Sequence, residues 1–395
     1  MLTSLALIFL LGLLLGGIAQ KFKLPSLLGI LLAGMILSPY AFNLLDGSIL
    51  LISPDLRKLA LVIILTRTGL SLDLKSLKKV GRPAILMCFV PASIEIVSVI
   101  LLAPPLLHVS ILEAAIIGAV IAAVSPAVIV PRMLRIMEEG YGKKHSIPEL
   151  ILAGASVDDV FVIVLFTAFT SLAQGEGVSV GAFVRIPVSI VLGILVGVFV
   201  GILSNWFFRN FHFRDSVKIL ILLSISFLLL ELETRMEGFL SMSGLLAIMS
   251  LGITLYQTYP MLSERLSAKY NKLWVAAEII LFALVGASVD LSYAVKAGGV
   301  VIILVLGALC FRMLGVLLCL IKTPLTRKER IFCILAYTPK ATVQAAIGAI
   351  PFSMGLPCGE IVLTVAVISI LITAPLGAIF IDRSYRKLLT EKENL

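Results

Sequence analysis

Thirteen apolar runs divide the chain, each long enough to cross a bilayer as a helix and separated from the next by a short polar stretch. They fall at about residues 2–19, 24–40, 57–72, 83–103, 111–136, 148–172, 184–208, 216–232, 240–256, 273–290, 297–321, 328–353 and 359–381. Most are apolar on every face rather than along one stripe, the pattern of buried or lipid-bathed helices. The fold class expected is an all-α polytopic membrane protein of about 13 transmembrane helices. The first run has no preceding basic residue and no small-residue cleavage site, so it reads as a helix that is kept.

The charges in the connections test this count. Loops after odd-numbered runs, with the C-terminal tail, hold 24 of the 32 lysines and arginines, among them Lys75, Lys78, Lys79 and Lys392. Loops after even-numbered runs hold five: Arg57, Lys58, Arg185, Arg235 and Lys296. That asymmetry predicts the N-terminus outside and the C-terminus in the cytoplasm, in a multi-pass protein of the cell membrane. It also accounts for the net charge of +9 without a nucleic-acid partner. Only 14% of residues are charged, against roughly 25% in a soluble domain, so no soluble domain of useful size remains. The five cysteines lie in or beside apolar runs and show no metal spacing.

The chain also resembles itself at an offset near 215 residues. Ala123-Val124-Ser125-Pro126 in the fifth run matches Ala336-Tyr337-Thr338-Pro339 in the twelfth, and Gly69–Asp73 in the third matches Gly286–Asp290 in the tenth. Runs 1–6 then repeat as 8–13 with run 7 as linker. Matched runs are seven apart, an odd number, so the two repeats have inverted topology, the build of a secondary transporter. Pro126 and Pro339 each follow a hydroxyl residue in mid-span. Proline removes a backbone donor and clashes with the preceding turn. Two such breaks in equivalent positions predict crossed discontinuous helices whose freed carbonyls could meet an ion.

Charges at the middle of the spans are few and costly. Asp158 and Asp159 stand together in the sixth run, with Glu95 in the fourth, Arg312 in the eleventh and Lys340 in the twelfth. All five fall in the last three runs of a repeat. Ionised, they sum to one surplus negative charge, which one Na⁺ or one proton neutralises. A metal ion and protons would therefore compete for Asp158 and Asp159. Ser125 and Thr338 hydroxyls and freed carbonyls supply further hard oxygens for Na⁺. Glu95 and Arg312, 217 residues apart, are candidates for an ion pair across the pseudo-twofold axis. Arg67 and Glu278, in the third and tenth runs, read as a structural pair or a pH sensor.

Ala155-Ser156-Val157-Asp158-Asp159, the segment from Pro339-Lys340 to Ile347-Gly348, Glu95 and Arg312 resemble the monovalent cation/proton antiporter superfamily. Within it they are similar to the Asp-Asp branch and its NHA-type sodium/hydrogen exchangers, over nearly the whole chain. The resemblance implies thirteen or fourteen helices, elevator-like movement, a homodimer, and Asp159 as the principal ion ligand. Many relatives carry lysine where this chain has Arg312, and arginine deprotonates far less readily. The division expected is scaffold and dimerisation helices at 1–82 and 216–296, transport core at 83–172 and 297–381, linker at 173–215, and a cytoplasmic tail at 382–395.

The function predicted is secondary antiport of a monovalent cation, Na⁺ or Li⁺, for H⁺ by alternating access, with no cofactor beyond the transported ions. K⁺/H⁺ antiport and a sodium-coupled organic-anion symporter of the bile-acid type are the alternatives. An intramembrane aspartyl protease is excluded, because adjacent helical residues point about 100° apart and cannot face each other across a water. No Walker motif supports an ATP-driven pump.

Overall fold

A computed structural model describes residues 1–72, 81–174, 180–236 and 242–390. Asp73, Lys75, Lys78, Lys79 and Lys392 of the sequence reading lie outside the described residues, and Ser156 and Arg185 are described in backbone alone. The described residues are helical throughout, with no strand among them. In chain order the helices are α1 (Leu2–Lys21), α2 (Ser26–Leu37), α3 (Gly47–Leu51), α4 (Ser53–Ser71), α5 (Arg82–Met87), α6 (Val90–Leu107), α7 (Ile111–Ala122), α8 (Pro126–Glu138) and α9 (Ile147–Gln174). They continue as α10 (Val180–Asn210), α11 (Asp215–Met236), α12 (Gly244–Thr258), α13 (Pro260–Ala287), α14 (Leu291–Cys319), α15 (Arg327–Ala336), α16 (Thr342–Ile347), α17 (Ile350–Ser353) and α18 (Gly359–Leu388).

Among the described residues, eight of the expected spans, the first, fourth to seventh, tenth, eleventh and thirteenth, are stretches long and apolar enough to cross a membrane, the fifth taken across the break at 123–125. The other five differ for physical reasons. The second and ninth form the shorter helices α2 and α12. The third carries Asp55, Arg57, Lys58 and Arg67 within α4, and the eighth carries Asp215, Lys218, Glu231, Glu233 and Arg235 within α11. The twelfth is split into α15, α16 and α17. The tenth run was placed from residue 273, but its helix begins at Pro260, because the charged stretch Glu264–Lys272 is helical too.

Contacts divide the chain into two compact units. One comprises Met1–Pro54, Lys75–Val162 and Ile279–Leu395; the other comprises Asp55–Leu74 and Ile163–Glu278. In the second, α10 and α12 approach along small residues spaced every four. A Cβ on Gly193 would stand 2.6 Å from the Ser243 carbonyl, and one on Gly201 would stand 2.7 Å from Thr254 Cβ. Lipid tails are as apolar as the side chains they would meet, so backbone-close van der Waals packing of this kind is what holds the pair together.

The first unit contains every mid-span charge. Its two broken helices start alike. Ser110 and Glu113 form a capping box on α7, and Thr326 and Glu329 form another on α15. Each box satisfies donors that the first helical turn leaves free. Both helices then stop short of a full crossing: α7 at Ala122, where Ala123 turns extended, and α15 at Ala336.

Candidate functional site

The two interruptions use proline differently. Pro126 is the first residue of α8, where a missing N–H costs nothing, and Ser125 before it is extended. Pro339 lies in the non-helical stretch between α15 and α16. The segments cross and bond directly: Ser125 N donates to Pro339 O at 2.8 Å, and the Ser125 and Thr342 hydroxyls are 3.3 Å apart. Gly377 on α18 makes room for the crossing, since a Cβ there would stand 2.7 Å from Pro339 and 2.8 Å from Thr338 Oγ1.

A helix that stops in mid-membrane leaves its last carbonyls without donors. Here side chains supply them. Lys340 Nζ donates to Ile121 O, Arg312 Nη1 to Ala122 O, and Gln344 Nε2 to Ala123 O at 2.8 Å. At the end of α15, Tyr337 O accepts from Arg312 Nε at 3.0 Å. Two cations thus sit at the negative end of α7, where the helix dipole favours them.

The same cations hold the carboxylates. Arg312 Nη1 lies 3.0 Å from Glu95 Oε2, and Arg312 Nη2 lies 2.8 Å from Asp158 Oδ2. Lys340 Nζ lies 2.6 Å from Glu95 Oε1, placed as an ion pair rather than a well-aimed hydrogen bond. Asp158 Oδ2 also accepts from Val124 N at 2.9 Å, which ties it to the first interruption. The result is a chain, Lys340–Glu95–Arg312–Asp158, with two charges of each sign. All four side chains are essentially sealed from solvent.

Asp159 stands outside that chain. Among the described residues its carboxylate has no hydrogen bond or ion pair, and its buried Oδ1 has no partner. At 6% exposed against 0% for Asp158, it is the more accessible of the two. With all five groups ionised, the carboxylate left unmatched is that of Asp159. Asp158 Oδ1 and Gln344 Oε1 are likewise buried without a partner among the described residues. Buried polar atoms are normally paired, so each of these bare oxygens is an exception.

Sequence reasoning placed Glu95 and Arg312 as a pair; the structure gives Arg312 a second carboxylate partner in Asp158 and gives Glu95 a second cation in Lys340. Thr338 Oγ1 donates to Leu335 O at 2.9 Å, and it is Thr342 that faces Ser125. Thr342, Gln344 and Gly377 were not singled out. In the second unit, Arg67 on α4 and Glu278 on α13 are near enough for their charges to interact, but no hydrogen bond or direct ion pair joins them.

Two interrupted helices crossing beside a sealed, balanced charge cluster with one spare carboxylate define a membrane transporter of small ions rather than an enzyme. Residues 6–383 match the family model described as "Sodium/hydrogen exchanger, transmembrane". The chain belongs to the sodium/hydrogen exchanger family, a family of cation/proton antiporters, and is an integral multi-pass membrane protein. It is 33% identical to human sodium/hydrogen exchanger 9B2 over 94% of this chain and 71% of that protein. It is 29% identical to human sodium/hydrogen exchanger 9B1 over 93% and 73%. The fold is similar to that of the sodium proton antiporter MjNhaP1 from Methanocaldococcus jannaschii at pH 8, with a TM-score of 0.85 across 98% of both chains at 22% identity.

Proposed function

We propose that the protein exchanges Na⁺, or Li⁺, for H⁺ by alternating access, and that the two ions compete for Asp159 with Asp158 beside it. The observation that carries this reading is the unpaired Asp159 carboxylate next to a cluster whose other four charges balance. With a proton or one Na⁺ on Asp159 the site is neutral; empty, it carries one negative charge. Moving an uncompensated charge through hydrocarbon is costly, so the loaded states cross and the empty one does not. Competition at one carboxylate couples the two fluxes, one cation for one proton.

The architecture we infer has thirteen helices arranged as two inverted repeats of six, with residues 173–215 as linker. An offset of 217 supports this. It relates Ser125 to Thr342 and Glu95 to Arg312, which touch in both cases. It also relates Gly69 to Gly286. A Cβ on Gly69 would press on the Met249 carbonyl of α12, and one on Gly286 would press on the Leu31 carbonyl of α2, the counterpart helix of the other repeat. Residues 83–172 and 297–381 are the transport core; 1–82 and 216–296 are scaffold and form a homodimer; the tail at 382–395 is cytoplasmic, with the N-terminus outside the cell membrane. Arg67 and Glu278 serve the scaffold structurally.

The test is Asp159→Asn in proteoliposomes at clamped voltage. Asparagine keeps the shape but neither titrates nor carries charge. The expected result is loss of cation-driven proton flux in a protein that still melts cooperatively. Flux near the unmutated level in the purified variant refutes the assignment.

A further inference from the structure

Gln344 is fully buried on α16 and reaches back to the interrupted end of α7. Its Nε2 donates to Ala123 O at 2.8 Å and stands 3.4 Å from Ile121 O. Carbonyl oxygens only accept, so the amide NH₂ must face them; no flipped assignment satisfies these partners. That fixes the other end of the amide. Gln344 Oε1 is left sealed from solvent with no donor in reach.

An amide oxygen in this condition is anomalous. Leaving a buried acceptor unpaired costs free energy that a leucine of similar size would avoid. The structural need at this position, a donor for Ala123 O, is met by Nε2 alone. Its anchor, Ala123, is next to Val124, whose N–H donates to Asp158 Oδ2, so the amide is held one residue from a contact of the carboxylate pair. Gln344 is next but one to Thr342, whose hydroxyl faces Ser125. A dehydrated monovalent cation needs several hard oxygens, and an exchanger needs most of them neutral, because each added carboxylate would change the charge carried per cycle.

We propose that Gln344 is a specificity-determining residue of the exchange reaction, whose Oε1 is a neutral ligand for the transported cation while its Nε2 holds the carbonyl end of α7 in register. This rests on the reading of Asp159 as the exchanging carboxylate. One side chain then joins cation occupancy to the geometry of the interruption. The fixed length of the glutamine sets how far the oxygen stands from the carbonyls, and so which ionic radius it suits.

The experiment compares Gln344→Leu and Gln344→Glu with the unmutated protein in proteoliposomes, measuring proton flux against Li⁺, Na⁺ and K⁺ concentration. Cation-induced shifts in melting temperature are measured alongside. Gln344→Leu removes the oxygen, so half-saturating Na⁺ should rise about tenfold, the loss of one oxygen contact, and the preference between Li⁺ and Na⁺ should change. Gln344→Glu turns the neutral ligand anionic at alkaline pH. Half-saturating Na⁺ should fall there, and flux should become voltage-sensitive, because the surplus becomes two charges. A purely structural role would lower the melting temperature of both variants and leave half-saturation and ion preference unmoved; that result overturns the inference. If Gln344→Leu does not fold, Gln344→Glu decides alone. Absence of cation-driven flux in the unmutated protein would instead refute the reading on which the inference rests.

Discussion

Removing Arg312 is the sharpest perturbation the geometry offers. Its guanidinium touches Glu95, Asp158, Ala122 O and Tyr337 O at once. In Arg312→Gln, Glu95 keeps Lys340, but Asp158 loses its only cation and retains only Val124 N. Two buried carbonyls also lose donors. Breaking one buried pair costs about 3–5 kcal/mol, because the abandoned charge stays buried. Glu95→Gln should cost less, since Arg312 still has Asp158 while Lys340 keeps Ile121 O. The double variant Glu95→Gln with Arg312→Gln leaves the net charge of the cluster at minus one. It also leaves Asp158 and Lys340 without a directly bonded opposite charge among the described residues. Coupling between the two sites should therefore be partial, of the order of 0.5–3 kcal/mol, with the double variant well below the unmutated protein. Thermal or denaturant melting of the four proteins closes the cycle. A double variant as stable as the unmutated protein would mean a closed Glu95–Arg312 pair; strictly additive losses would mean no pair. Either result refutes the four-member chain.

Asp158→Asn should retain the hydrogen bonds to Val124 N and Arg312 but erase the surplus negative charge, letting Asp159 pair with Arg312. Half-saturating Na⁺ should rise by about tenfold or more in a flux assay, and unchanged affinity would make Asp158 a bystander. At the C-terminal end of α8, Glu139 accepts from Tyr385 Oη at 2.7 Å and from Arg135 Nε at 2.8 Å, which together pull its carboxyl down to about 2. A depressed carboxylate pKa contributes stability above the unfolded value of about 4.3, lost only as pH falls towards 2. Glu139→Gln should therefore lower the melting temperature by a similar amount at every pH from 5 to 9 and leave the pH profile of exchange in place. A shifted profile would refute this.

The charges at mid-span were legible in the sequence because a carboxylate or a guanidinium stands out against an apolar run. So was the contact of Glu95 with Arg312, from their matched positions; the second partners, Asp158 for Arg312 and Lys340 for Glu95, were not. Matching the two prolines pairs Ser125 with Thr338, whereas it is Thr342 that faces Ser125. The prolines mislead because one starts a helix and the other lies in a non-helical stretch, so they do not play the same local part. The capping boxes, Ser110 to Glu113 and Thr326 to Glu329, were a signal that could have set the register to within one residue. Gln344 carried no such mark. A lone amide in an apolar stretch has no charge to flag it, and its importance comes from carbonyls two hundred residues away. Gly377 was likewise hidden among many membrane glycines, since only the crossing chain explains why no side chain fits there.

The last described residues are bound into the fold. Gly142 N donates to Thr390 O at 2.9 Å, Leu389 is buried, and Arg132 meets Asp382 at 3.3 Å. For anyone producing the protein, this sets where a reporter or purification handle can be joined. A protease site or fluorescent partner fused after Thr390 leaves the clasp closed, while one spliced in at Ile381 would strip Asp382, Tyr385 and Leu389 from the end of α8. Fluorescence from such a truncated fusion would report synthesis of the chain and not a correctly closed molecule.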